Sequence, residues 1–112
     1  MPDRDFLGEF EQLVLLAVAR LGGEGYGMSV RREIERRTGR AVSIGAVYAT
    51  LDRLEHKGYV ASRTGAPTAE RGGRAKRHFT VQPGGMRALR RTRRILTAMW
   101  KDLELGARTG SP

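Results

Sequence analysis

The sequence predicts a mainly α domain carrying a two-stranded β-hairpin: three helices, the hairpin, then a long C-terminal helix. Three observations predict it. Apolar residues recur at helical spacing in four stretches. Between Tyr59 and Val81 that period gives way to alternation. Glycines stand where helices have to stop, at Gly22–Gly23, Gly39 and Gly58. The 112 residues suffice for one domain with a modest core.

The first helix, about Gly8 to Leu21, sets Phe10, Leu13, Val14, Ala17, Val18 and Leu21 on one face. Leu15 and Leu16 widen that stripe, so burial on more than one side is expected. The following string, Gly-Gly-Glu-Gly-Tyr-Gly at 22–27, is rich in glycine as phosphate loops are. It lacks the Gly-Lys-Ser/Thr ending and follows a helix rather than a strand, so it reads as a flexible turn. A second helix runs from about Met28 to Thr38, with Val30 and Ile34 inward and Arg31, Arg32, Arg36 and Arg37 mostly outward. Ser43 is placed to cap a third helix, Ile44 to Lys57. There Val47, Leu51 and Leu54 share the inner face. The outer face holds Gly45, Ala49, Asp52, Arg53 and His56, with Ala46 and Tyr48 at its borders.

Tyr59 to Thr64 and Lys76 to Val81 read as two short strands, the second placing Phe79 and Val81 on one side and His78 and Thr80 on the other. The intervening Gly65–Ala75 reads as a long, mobile loop bearing Arg71 and Arg74, with Lys76 and Arg77 at its base. Pro83 and Gly84–Gly85 open a last helix, about Met86 to Leu105, with Leu89, Leu96 and Leu103 at heptad spacing and Met99 and Trp100 beside them. Its other faces carry Arg87, Arg90, Arg91, Arg93 and Arg94. The organisation expected is therefore a winged helix-turn-helix unit over 1–82, a C-terminal helix over 83–105 and a disordered tail over 106–112.

Composition narrows the function. The chain has 21 Lys and Arg against 12 Asp and Glu, a net charge of +9. Residues 1–30 sum to −3, 31–57 to +3, 58–80 to +4 and 81–112 to +5. A small basic domain attracts polyanions. With no cysteine, thiol catalysis, Cys-ligated zinc and iron–sulfur clusters are excluded, and His56 and His78 stand in no acidic cluster, so no metal or cofactor is expected. The longest apolar run, Leu13 to Ala19, has seven residues, where a membrane span needs about twenty. No targeting segment is visible, and a cytoplasmic protein is expected.

A helix with a small-residue outer face can approach a duplex closely and present side chains to base edges, while a basic hairpin beside it reaches phosphates or the adjacent minor groove. Arg53 and Tyr48 would then reach phosphates, or a base edge in the case of Arg53. Three rivals remain on sequence alone. A winged helix can dock an acidic protein, and weak salt dependence with duplex DNA would favour that. RNA recognition usually needs exposed stacking aromatics, and only Tyr48 and Tyr26 offer themselves. An enzyme would need a nucleophile–base pair or a cofactor loop, and neither is present.

The string Ser43-Ile44-Gly45-Ala46-Val47-Tyr48-Ala49-Thr50-Leu51-Asp52-Arg53-Leu54-Glu55-His56-Lys57-Gly58-Tyr59-Val60 resembles the recognition-helix signature of the PadR family of bacterial transcriptional regulators. Gly25-Tyr26-Gly27 is similar to that family's turn before the second helix, Arg71 to Phe79 to its wing, and Val81 to Gly85 to its entry into the C-terminal helix. The resemblance spans about residues 10–105. Ile44, Ala49 and Ala75 depart from it, standing where the family often has proline, or proline or arginine at 49.

The resemblance implies a homodimeric repressor that binds an inverted-repeat operator in double-stranded DNA. Tyr48 and Ser43 would touch phosphates or groove edges, with Gly45, Ala46, Ala49 and Arg53 on the same helix. Tyr26 would lie near the backbone, and Arg74 with Arg71, Lys76 and Arg77 would reach the flanking groove. Phe10, Leu89, Leu96, Met99, Trp100 and Leu103 would form the dimer interface. Trp100 and its symmetry mate, with Phe6 or Phe10 nearby, have a second reading as a pocket for a small, flat aromatic effector.

Overall fold

The computed structural model describes residues 6–65 and 76–103. The elements follow in the order α1 (Glu9–Arg20), α2 (Gly27–Thr38), α3 (Ile44–His56), β1 (Val60–Thr64), β2 (Arg77–Val81) and α4 (Pro83–Trp100). This is the expected architecture. Each of the first three helices matches its expected bounds to within one residue.

The core forms where the apolar stripes converge. Leu7, Val14, Leu15 and Val18 meet Val30 and Ile34 of α2, Val47, Leu51 and Leu54 of α3, Tyr59 and Val60 at the start of the hairpin, Phe79 of β2 and Ala88 of α4. Phe79 is the largest side chain that is wholly buried. Its place follows from strand alternation: Phe79 points into the core while Thr80 is exposed. The strands pair antiparallel from Val60 with Val81 to Thr64 with Arg77.

Local chemistry sets the helix ends. Gly39 takes a left-handed conformation, φ 71°, as the C-cap of α2. The short passage to α3 is held by Glu35, whose Oε2 accepts from the Val42 amide at 3.0 Å. Thr38 Oγ1 donates to the Ile34 carbonyl at 2.8 Å and accepts from the Arg40 amide at 3.1 Å. These bonds hold the short passage that leads from α2 toward α3.

Helix α1 is buried on more than one side, with Val14, Leu15, Ala17 and Val18 inward, while Leu16, 45% exposed, faces a groove beside α4. Two expectations need correction. The glycine-rich 22–27 turn is pinned rather than flexible: Gly25 forms a bridge with Phe79, whose amide donates to the Gly25 carbonyl at 2.9 Å. The last helix starts three residues early and stops at Trp100. Pro83 occupies its first turn, where no intrahelical N–H is needed. After Trp100 the chain turns at Asp102, φ 63°, so Leu103 lies beyond the helix.

Gly85 marks the closest approach of α4 to the body. A Cβ there would overlap the Tyr59 carbonyl oxygen and press on Val81 Cγ1 at 3.1 Å. At Gly84 an added Cβ meets only ordinary contacts, the nearest at 3.7 Å. Gly85→Ala is therefore expected to destabilise the fold by about 1–3 kcal/mol through overpacking against fixed backbone. Gly84→Ala should be neutral or mildly stabilising through helix propensity. Urea unfolding midpoints measure both; equal midpoints for the two variants would contradict the packing described.

Candidate nucleic-acid interface

Ser43 caps α3, its Oγ accepting from the Ala46 amide at 3.1 Å. That bond satisfies one of the orphan amides of the first turn and fixes where the helix begins. Val47, Thr50, Leu51 and Leu54 turn inward, which forces Gly45, Ala46, Tyr48, Ala49, Asp52, Arg53 and His56 to solvent. The first two turns thus present a shallow, nearly side-chain-free surface, edged by Ser43 and Tyr48. Nothing lies within 4 Å of the space a Cβ on Gly45 would take.

Tyr48 crosses to α2 and lies against Gly27, leaving no room there for any side chain. Gly27 follows Tyr26, whose ring meets the hairpin. Lys76 Nζ stands 4.4 Å from the Tyr26 ring centroid, and His78 packs edge-on with ring centres 5.9 Å apart. Arg32 Nη2 donates to Tyr26 Oη at 3.1 Å. This bond, ahead of the nearby charges of Lys76 and Arg32, lowers the Tyr26 phenol below its ordinary range. One surface therefore unites the N-terminus of α2, the outer face of α3 and the base of the hairpin. Of the sequence candidates it gathers Tyr26, Ser43, Gly45, Ala46, Tyr48, Ala49 and Lys76. Arg71 and Arg74 lie outside the described residues.

Arg53 and Arg77 are held by carboxylates. Glu11 of α1 accepts from Lys57 Nζ at 3.0 Å and lies 3.6 Å from Arg53 Nε, while Arg53 Nη2 donates to Thr50 Oγ1 at 3.1 Å. Burial would raise the Glu11 carboxyl. Lys57, the Gly8 amide and the Arg53 charge outweigh it and leave the pKa lowered. Arg77 binds Glu55 closely and reaches Asp52 at 3.4 Å, with its guanidinium 5.0 Å over the Phe79 ring. The Ser62 hydroxyl, donating to Glu55 at 2.7 Å, and then the Arg77 charge lower the Glu55 pKa.

Sequence reasoning missed three contributors. Gly27 was legible only as a turn residue, although a glycine beside an exposed aromatic is a sign of close approach. Arg32 reads as one of four outward arginines until the fold brings Tyr26 within its reach. Glu11 and its two cations are more than forty residues apart, beyond any local pattern.

Elsewhere, α1 and α4 enclose a groove of about 540 Å³ lined by Leu16, Met86, Leu89, Leu96 and Trp100, with Gln12, Arg90, Arg93 and Thr97 also facing it. Trp100 is 55% exposed. Phe6 and Phe10 do not line the groove; Phe10 packs against the core and Phe6 lies largely in solvent. No group of acidic, His or Cys side chains suited to a metal occurs among the described residues, and no helix there is long and apolar enough to cross a membrane.

Residues 15–91 match the sequence profile of the transcriptional regulator PadR-like family. No curated protein matches the chain in sequence. Among solved structures, a transcriptional regulator from Clostridium thermocellum superposes with a TM-score of 0.67 at 18% identity, covering 88% of this chain and 90% of that one. Bacillus subtilis PadR in complex with operator DNA gives 0.62 at 18%, covering 74% of this chain and 45% of that one. The winged-helix DNA-binding protein F93 from STIV gives 0.68 at 13%, covering 88% and 99%. At these identities the likeness establishes the winged-helix fold.

The lowered carboxyls fix the acid limb of stability. In the unfolded chain Glu11, Glu35 and Glu55 return to about their ordinary 4.5. The unfolded state then binds more protons, so the stabilisation is complete above that value and is lost as pH falls through the lowered folded values. Thermal midpoints should fall as pH drops below about 4.5. Glu11→Gln should lower the midpoint at neutral pH and flatten the acid limb. An unchanged acid limb in that variant would contradict the assignment.

Proposed function

The chain belongs to the PadR-like family of transcriptional regulators, and from that premise we propose that it is a sequence-specific, homodimeric repressor of transcription, released from double-stranded DNA by a small aromatic effector. The observation that carries the DNA reading is the shallow α3 surface continuous with Tyr48, Tyr26 and Lys76. Gly45, Ala46 and Ala49 let the helix backbone approach a duplex closely. Tyr48, Tyr26 and Lys76 stand where phosphates would flank it. Arg71 and Arg74 of the hairpin loop are proposed to extend the contact into the adjacent groove.

The dimer reading rests on α4. Gly85, Ala88 and Thr92 are buried against the body. Ile95, Leu96, Met99 and Trp100 continue the same side of the helix, and Leu103 follows, yet these five are 42–74% exposed. An apolar stripe that outruns its own domain is best covered by a second copy. Leu89, partly buried, begins the stripe, and Phe10 stays with its own core. Two-fold symmetry would then place two α3 surfaces on half-sites about one helical turn apart, or a multiple, in an inverted repeat.

The groove beside Trp100 falls within the size range of small-ligand sites, about 300–1,000 Å³. Its apolar walls suit a flat aromatic molecule, and Arg90 and Arg93 suit an anionic substituent on it. An RNA partner is disfavoured because Tyr48 is laid across Gly27 instead of standing free to stack.

Two tests follow. Lys76→Gln and Arg74→Gln should each reduce the slope of log affinity against log salt on duplex DNA by about one unit. Arg77→Gln should change it less, because Asp52 and Glu55 already flank that guanidinium. Equal effects at positions 76 and 77 would move the interface elsewhere. For the effector, an aromatic molecule that releases the protein from DNA should quench Trp100 fluorescence, and Trp100→Ala should abolish release while DNA binding persists. A Trp100→Ala protein that still responds normally would rule the groove out.

A further inference from the structure

The excess positive charge of this chain does not lie mainly on the α3 surface. Across α1 to β2, every described carboxylate has a basic partner: Glu9 with Arg40, Glu11 with Arg53 and Lys57, Glu24 with Arg63, Glu33 with Arg36 and Arg37, Glu35 with Arg31, and Asp52 and Glu55 with Arg77. Helix α4 has five arginines and no acidic residue, and so supplies five of the nine net charges. At 3.6 residues per turn, Arg87, Arg90 and Arg94 fall within about 60° of arc, roughly opposite Gly85, Ala88 and Thr92. All three are exposed. The side of α4 away from the domain is thus a cationic ridge. From Arg87 to Arg94 it runs about 10 Å, the axial rise of about three phosphates of one strand.

We infer that this ridge is a second, sequence-independent binding surface for the phosphate backbone of double-stranded DNA, so that one molecule holds two duplex segments. The inference rests on the reading that α3 and the hairpin take the first duplex. Arginine suits the role because it stays charged and forks onto phosphate oxygens. With three exposed arginines and no base-reading geometry, affinity should be salt-sensitive and indifferent to sequence. An anionic membrane is the weaker fit. A membrane-surface helix lies with its apolar side down, whereas the arginine ridge lies roughly opposite the apolar side of α4, so the two could not face one lipid surface together. Arg90 borders the groove beside Trp100, but Arg87 and Arg94 do not line it, so covering the apolar stripe leaves those two accessible.

The test immobilises a biotinylated 40-base-pair duplex on beads, saturates it with protein, washes, and offers a fluorescent duplex of unrelated sequence at low salt. The wild type is expected to retain the second duplex. The R87Q/R94Q double variant is expected to coat the beads as well as the wild type but to retain about tenfold less of the second duplex. The inference alone is overturned by a wild type that coats the beads yet retains nothing, by a variant that retains as much, or by a variant that no longer coats the beads, which would place these arginines in the first interface. It is also overturned if the ridge prefers anionic phospholipid vesicles, shown by vesicles displacing the second duplex from wild-type beads. A wild type that fails to coat the beads overturns the DNA-binding reading itself.

Discussion

The packing of α1 is the constraint on which the rest depends. This one helix touches α2, α3, β2 and α4. Val14, Leu15 and Val18 are wholly buried at the centre of those contacts. Its polar edge works on the same neighbours. Glu11 grips Lys57 and Arg53 at the C-terminal half of α3, and Glu9 reaches Arg40 at the turn before α3. Leu16 and Gln12 meanwhile form the α1 wall of the groove beside α4. The orientation of the helix proposed to read DNA and the wall of the pocket proposed to take an effector are therefore set by adjacent residues of one rigid rod.

Charge is partitioned with similar economy. Carboxylates brace the winged helix from within, joining α1 to α3 through Glu11 and α3 to the hairpin through Asp52 and Glu55. Arginines that look available in the sequence, Arg53 and Arg77 among them, are engaged in those braces. Basic side chains that remain outward include those at the corner formed by Tyr26, Arg32 and Lys76, those on the outer side of α4, Arg20 at the end of α1 and Lys101 after α4.

Much of the fold was legible because its signals are local. Helical spacing in α1 to α3, alternation around Phe79, the Ser43 cap and the stops at Gly39 and Gly58 each involve neighbours in sequence. The errors arose where distant segments decide. Gly25 looks like a loose turn residue until Phe79 pairs with it from more than fifty positions away. The heptad pattern carries on to Leu103, but the helix ends at Trp100 and the backbone turns at Asp102. Of the site, the α3 face was visible from periodicity alone. The Tyr26 corner was not, because it exists only once the hairpin folds back over the start of α2.

The central claim is that the outward face of α3 sits in the groove of a duplex, twice over in a symmetric pair. The chain has no cysteine, so a single Ala49→Cys substitution gives a unique tether for a DNA-cleaving iron chelate at the middle of that face. Cleavage of a bound operator duplex should fall in two compact clusters about one helical turn apart, or a multiple of that. Absent cleavage from position 49, while the labelled protein remains bound, would contradict the account.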